Sequence, residues 1–477
     1  MQMRLEPFTR NELDKIHGAT VRILERTGVR VLDPEAASLL QEAGSTLDKR
    51  TSIVRIPESV LKECLASAPR KFKLYSRSGK HVVAFGEGRV YLGAVGTAVQ
   101  VEDLDGNVRP STLKDAENFF RLTDALPNID HSGWVCWPRD SPDDIAPLEE
   151  IFLAFKHSTK TTDGWNLTKE QSQSSIDLAA IVAGDLDDLR ERPLLLGFSN
   201  PVSPLTLSKD ATEGLIVYAR AGQPCLYPPE CMAGGTSPVT LAGLLVQQNA
   251  EVLSSVAVAQ CAARRAPSIY SSVSSIMDMR TGSIALGAPE AGLVMCGSAQ
   301  LARYYGIPSR GTGGNTESMT PDIQAGSESS RTLVMAALAG FDFIYDAAGS
   351  IESSLTASYS KLVLDNDMCG EVKRVLSGID VTEETLATDV MEMVGSGGSY
   401  LSQPHTLRNY RKEHFAPSLL WRGSRSSWNA SKQRAIMDRA RAKCKEILKD
   451  HEVDPPLEPD IERKLKDFIK AKRRSSR

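Results

Sequence analysis

A chain of 477 residues has room for one large barrel with additions or for two to three smaller domains, and 41% apolar with 24% charged residues is an ordinary globular composition. A net charge of −4 leaves no electrostatic footprint for nucleic acid. The start, from Met1 to Phe8, lacks the apolar core of a signal peptide, and no run reaches the ~18 apolar residues of a membrane span, so a cytoplasmic protein with no membrane contact is expected.

In chain order, residues 9–27 read as an amphipathic helix with Thr9 and Glu12 as a capping box and Gly28 as its stop. Asp33-Pro34 caps a second helix ending near Gly44, and a third covers about 57–67. Residues 81–101 alternate as paired strands, and Leu104-Asp105-Gly106-Asn107 supports a hairpin. Residues 1–110 are expected to form a mixed α/β flank or cap. The rhythm then changes. Helices are expected over about 113–125, 145–157, 169–183, 211–221, 240–263, 289–304 and 323–339. Between and after them come short apolar or extended runs at 131–137, 160–165, 193–198, 223–227, 267–270, 307–309 and 341–346. Helices alternating with about seven such runs, plus one flanking strand, predict an α/β protein built on a (β/α)8 barrel of the TIM type over 111–365. Residues 366–477 are expected to be a mostly helical extension with a basic, solvated end at Lys472–Arg477.

The stretch 306–329 stands out. A short extended piece at 307–309 leads into Gly311-Thr312-Gly313-Gly314, which is too flexible for helix and too poor in side chains for a core strand. Asn315-Thr316-Glu317-Ser318 follows, and Thr320-Pro321-Asp322 reads as a helix start with a hydroxyl cap. Such a polar segment between strand and helix is either an ordinary turn or the place where an α/β enzyme keeps its chemistry.

The eight cysteines, at 64, 136, 225, 231, 261, 296, 369 and 444, make no Cys-x-x-Cys pair and read as reduced thiols. None of the seven histidines shows ligand spacing, and Cys225 and Cys231 have no nearby third ligand, so no metal site is expected. No dinucleotide fingerprint, catalytic triad order or paired-acid spacing appears. Aromatic residues do recur at the ends of the apolar runs: Trp134, Trp137, Trp165, Phe198, Tyr227 and Tyr270, including three of only five tryptophans. In a barrel these ends converge, and converging aromatic faces suit an alkylated ammonium; the alternative is that they pack against helices. The acids Asp163, Glu230, Asp278, Glu317 and Asp322 are placed to favour a cationic ligand, or to act as caps and salt-bridge partners.

Several spaced signatures resemble the trimethylamine methyltransferase family: Tyr91-Leu-Gly-Ala-Val-Gly-Thr-Ala, Pro201-Val-Ser-Pro-Leu-Thr, Gly234-Gly-Thr-Ser-Pro-Val-Thr-Leu-Ala-Gly, Asn249-Ala-Glu251, Gly311-Thr-Gly-Gly-Asn-Thr-Glu, Pro321-Asp-Ile-Gln-Ala-Gly326, Asp365-Asn-Asp367 and His405-Thr. The resemblance covers almost the whole chain. It implies a (β/α) barrel that moves a methyl group from an amine to the cobalt of a corrinoid (cobalamin) carried by a separate corrinoid-binding protein, with no cofactor held tightly by this chain. The founding trimethylamine enzymes contain pyrrolysine, whereas this sequence has only standard residues. It is therefore similar to the branch that demethylates quaternary amines such as glycine betaine, proline betaine or carnitine. A quaternary nitrogen leaves neutral without a proton, so no catalytic acid or base is expected. The expected substrate-binding set is Trp134, Trp165, Phe198, Tyr227 and Tyr270 for the cation, with Arg310, Asn315, Thr316, Glu317 and His405 around the loop and for a carboxylate. Arg310 pairing with a barrel acid and His405 in a structural hydrogen bond are the alternatives. A non-catalytic quaternary-amine-binding protein is the rival reading, and a homo-oligomer is compatible with the sequence.

Overall fold

The computed structural model describes residues 4–165, 167–431 and 435–475. Its centre is a sheet of seven parallel strands: β1 (Tyr91–Ala94), β2 (Thr162–Asp163), β3 (Leu195–Phe198), β4 (Cys225–Tyr227), β5 (Ser268–Ser271), β6 (Ser309–Thr312) and β7 (Phe343–Ala348). They lie in the order β1-β7-β6-β5-β4-β3-β2 and curve into a half-barrel. Each strand from β2 to β6 lies beside its successor in sequence, as crossover helices of about a dozen residues or more dictate. The residue His131 bridges in parallel to Gly93 at one edge of the sheet and to Thr161 at the other.

Two sequence expectations need correction here. Residues 131–137 do not form a strand: they make isolated bridges at His131 and Cys136, because Gly133 at φ +61° breaks the extended run. Conversely, Gly311 and Thr312 do belong to a strand, fully buried in β6. A Cβ at Gly311 would sit 2.3 Å from the ring of Phe341, so the glycine admits an aromatic and does not break the strand.

The helices follow the sequence pattern closely. Those used below are α1 (Ala146–His157), α2 (Leu241–Ala262), α3 (Pro289–Tyr305), α4 (Ile323–Ala339), α5 (Tyr359–Ser377), α6 (Glu383–Leu386), α7 (Thr388–Val394) and α8 (Pro404–Glu413). The first helix, Arg10–Arg26, has the Thr9/Glu12 capping box. The helix α4 begins only at Ile323, so its cap is Asp322, whose side chain accepts from the Ala325 amide at 2.9 Å, and not the expected Thr320.

Alternation divides the strands. Leu196, Leu226, Ile269, Phe343 and Tyr345 face inward and form one cluster with Leu74, Val83 and Phe85 of an antiparallel hairpin. That hairpin is tied to the start of β7 by Gly86 donating to Asp342 at 2.8 Å, and it plugs the N-terminal end of the half-barrel. The C-terminal end stays open. The stretch 1–110 thus supplies the plug and the edge strand β1, while its first helix packs on α2 through Asn249 donating to Thr20 at 2.9 Å. Beyond α5 the chain is helical, and the last helix, Pro459–Ser475, returns to α1 through Lys156–Glu462 at 2.9 Å and Arg473–Glu149. Residues 476–477 of the basic end lie outside the described residues. Among the described residues no helix is long and apolar enough to cross a membrane, and no cluster of three or more His, Cys, Asp or Glu is placed to hold a metal.

Candidate functional site

At the C-terminal edge of the sheet lies a cavity of about 860 Å3, walled by Trp134, Trp165, Phe198, Arg310, Tyr345 and Asp346 with Glu230 at its side. Trp134 and Trp165 stack at 3.8 Å between centroids and 18° between planes, and Trp137 meets Trp165 edge-on at 4.8 Å. Trp165 is held by its indole N–H, which donates to Glu150 of α1 at 3.2 Å, and by its carbonyl, which accepts from Tyr218. Glu150 is fully buried, and burial pushes its pKa well above the usual carboxylate range. The Trp134 indole nitrogen is buried without a partner.

Behind this wall runs a buried polar chain. The His131 ring shares hydrogen bonds of 2.9 Å with Thr161 Oγ1 through Nδ1 and with Asp163 Oδ1 through Nε2. The other oxygen of Asp163 accepts from the Tyr345 hydroxyl, which in turn accepts from the Trp134 amide at 3.3 Å. Tyr345 is therefore fixed at its oxygen end, and its ring meets Phe198 edge-on at 5.5 Å. Gly96 and Gly133 make room for that side chain: a Cβ would come within 2.3 Å of its ring and 2.7 Å of its hydroxyl, respectively. Burial, then the nearby Asp163 charge, push the Tyr345 phenol well above its ordinary value, so it stays protonated.

Arg310 projects from β6 with its guanidinium 5.0 Å from the centre of the Tyr345 ring. It is 3% exposed and donates to the Ser272 carbonyl at 3.3 Å, while its Nε is buried without a partner. Burial lowers its pKa, and Asp346, Tyr345 and Asp163 oppose that shift. The Asp346 carboxylate is engaged by the Gly96 amide at 3.1 Å and the Thr312 hydroxyl at 2.9 Å. Asp346 and Thr97 both hold left-handed backbone, at φ +60° and +59°, so strain collects at the rim of the cavity. Glu230 faces the cavity, and surrounding protein raises its pKa.

The remaining candidates lie elsewhere. Tyr227 and Tyr270 point away from the cavity, because Leu226 and Ile269 take the inward positions of their strands. Tyr227 shares a 3.1 Å hydrogen bond with Ser268, and Tyr270 donates to Asn249 of α2 at 3.2 Å. Asn315 is buried behind the wall, accepting from Thr312 at 2.8 Å and donating to the cavity residue Ser354 at 3.1 Å. Thr316 donates to Glu328, and Glu317 clamps two loops by accepting from the Gly287 amide at 2.6 Å and Ser353 at 3.3 Å. Asp278 pairs with Arg280 at 2.7 Å, and Asp322 is spent as a cap. His405 lies on α8, 3.1 Å from the Glu384 carbonyl, at the far end of the molecule. Sequence reading passed over Tyr345, Asp346 and Glu150. Tyr345 was within reach, since it sits two residues after Phe343 on the same face of an apolar run; Glu150 gave no signal, lying amid an amphipathic helix.

The sequence model of the trimethylamine methyltransferase (MTTB) family matches residues 2–476. The chain belongs to this family. A glycine betaine methyltransferase of Desulfitobacterium hafniense (strain Y51) is 37% identical, over 97% of this chain and 96% of its own. A trimethylamine methyltransferase of Desulfitobacterium hafniense (strain DSM 10664 / DCB-2) is 35% identical, over 94% and 91%. The crystal structure of the monomethylamine methyltransferase of Methanosarcina barkeri shares the fold, with a TM-score of 0.55 at 13% identity, over 94% of this chain and 88% of that one. The protein is a methyltransferase whose cavity joins an aromatic wall to a buried guanidinium.

Proposed function

We propose that this methyltransferase removes one methyl group from a quaternary amine, glycine betaine above others, and delivers it to Co(I) of a corrinoid carried by a separate protein. The observation that carries this reading is the two-ended character of one cavity. The tryptophan wall, with Glu230 beside it, suits a cation whose charge is spread over methyl groups, and the Arg310 guanidinium, which also lines the cavity, suits a carboxylate. The 37% identity to a glycine betaine methyltransferase points the same way. We also read the half-barrel as a closed (β/α)8 barrel, with the segment at His131 in the eighth place between β1 and β2.

The chemistry is an in-line displacement. The bond between nitrogen and one methyl carbon breaks with its electrons left on nitrogen, and the acceptor's electron pair forms the new bond to that carbon. Dimethylglycine leaves without needing a proton, which agrees with a cavity whose phenol is held protonated and whose Asp346 is already engaged. The protein's part is to fix the cation, aim a methyl outward and exclude water. Exposed apolar residues stand on the loops after successive strands: Val202, Val239, Met279, Met319 and Leu355. Such a rim suits a protein partner that covers the cavity. The volume, about 860 Å3, also admits bulkier betaines such as proline betaine or carnitine with the same chemistry.

The test is methylation of cob(I)alamin, followed by absorbance, with glycine betaine, proline betaine, carnitine, choline and trimethylamine offered separately. Methylcobalamin formed from one betaine supports the reading and names the substrate. No product from any of them, even with the cognate corrinoid protein present, overturns it.

A further inference from the structure

The part of the chain that follows α5 behaves unlike the rest of the molecule. Helices α6, α7 and α8 contain no buried residue. Yet Ile379, Val381, Met393, Leu401 and Leu407 are each at least 74% exposed. Helices this short do not stand in water on their own propensity, and ordering them with their apolar side chains in solvent has no return within one chain. The arm is nevertheless anchored. Lys412 meets Asp380 at 3.2 Å, Arg374 of α5 meets Glu413 at 3.0 Å, and His405 meets the Glu384 carbonyl at 3.1 Å. Because α5 runs back from the C-terminal edge of β7, its far end and the arm lie at the opposite end of the sheet from the cavity. Asp380 there lines a cleft with Gly88 and Gly340, which sit at the starts of β1 and β7.

The charges say what kind of surface fits. From 380 to 394 the arm carries Asp380, Glu383, Glu384, Asp389 and Glu392 and no base, whereas α8 carries Arg408, Arg411 and Lys412. Within the chain, the ion pair between these two legs is Lys412–Asp380. A second copy related by a two-fold axis presents its basic leg to this acidic leg and its acidic leg to this basic one, with the apolar side chains between.

We propose that residues 379–413 form the face through which two copies of this chain pair, at the end of the molecule away from the cavity. Leu401→Asp/Leu407→Asp tests the apolar part on the full-length chain, by sedimentation velocity and light scattering at ten-micromolar concentration. The wild type is expected at twice the chain mass or an even multiple of it, and the double variant at half the wild-type mass with an unchanged far-ultraviolet circular dichroism spectrum. Where that variant fails to fold, charge reversal decides: Arg408→Glu/Arg411→Glu weakens association at least tenfold, and mixing it with Glu383→Lys/Glu384→Lys restores a mixed pair. A monomeric wild type overturns the proposal, whether or not another protein covers the arm. So does an oligomer that neither substitution set disturbs.

Discussion

Tyr345 and Tyr270 are both buried tyrosines in the same parallel sheet, with one strand between them, and their surroundings differ completely. Tyr345 shares the inner face with Phe343, meets the cavity, and is fixed through Asp163 and the Trp134 amide. Tyr270 follows the inward Ile269 by one residue, so it points to the helices and donates to Asn249. Tyr227 repeats the pattern after Leu226. One residue of parity separates an aromatic that can touch a ligand from one that holds a helix to the sheet.

The largest effect that sharpens this contrast belongs to another inward side chain. Arg310→Ala is expected to lower kcat/KM for glycine betaine by ~10²–10³-fold, the loss typical when a buried charged partner is removed. Choline, which lacks the carboxylate, should lose far less, and an equal loss for both would sever Arg310 from carboxylate recognition. Trp165→Ala removes one aromatic face worth about 1–2 kcal/mol to a desolvated cation, so KM should rise ~10-fold. An unchanged KM would place the cation elsewhere. A smaller, pH-dependent effect is expected at Glu230, whose pKa is raised by desolvation and then by Asp346. Its ionised form attracts the ammonium, so as pH falls through its raised pKa the charge is neutralised and KM should climb several-fold. Glu230→Gln should abolish that climb by holding KM near the raised, acid-side value at every pH. The least effect on catalysis should come from the outward residues: Tyr227→Phe and Tyr270→Phe should keep activity within about twofold and lower stability by ~1 kcal/mol each, read as a drop in Tm. Loss of activity at folded Tyr270→Phe would break the comparison.

Much of the architecture was legible because it rests on local signals. The capping box at Thr9, the Asp33-Pro34 start and the periodic run ending at Ala339 place helices within a residue or two, since caps and apolar spacing act over single turns. Misreadings arose where distant residues decide. Gly311 looked like a break, but Phe341 fills the space its side chain would take. The apolar run after His131 looked like a strand, but Gly133 turns it so that the Tyr345 ring can enter.

For the site the division is similar. Trp134, Trp165, Phe198 and Arg310 were legible as chemistry at the ends of apolar runs, and the fold brings them to one cavity. His405 stood out only as part of a motif, and it lies on an arm at the other end of the molecule.

Residue types and spacing alone determined that the chain alternates helices and short strands, carries aromatic residues at strand ends and matches one methyltransferase family across its length. Tertiary structure decided which of those aromatics face inward, which buried acid holds Trp165, and which cation keeps a donor unspent. Side-chain direction in a short strand depends on where pairing begins, and pairing is set by partners tens to hundreds of residues away.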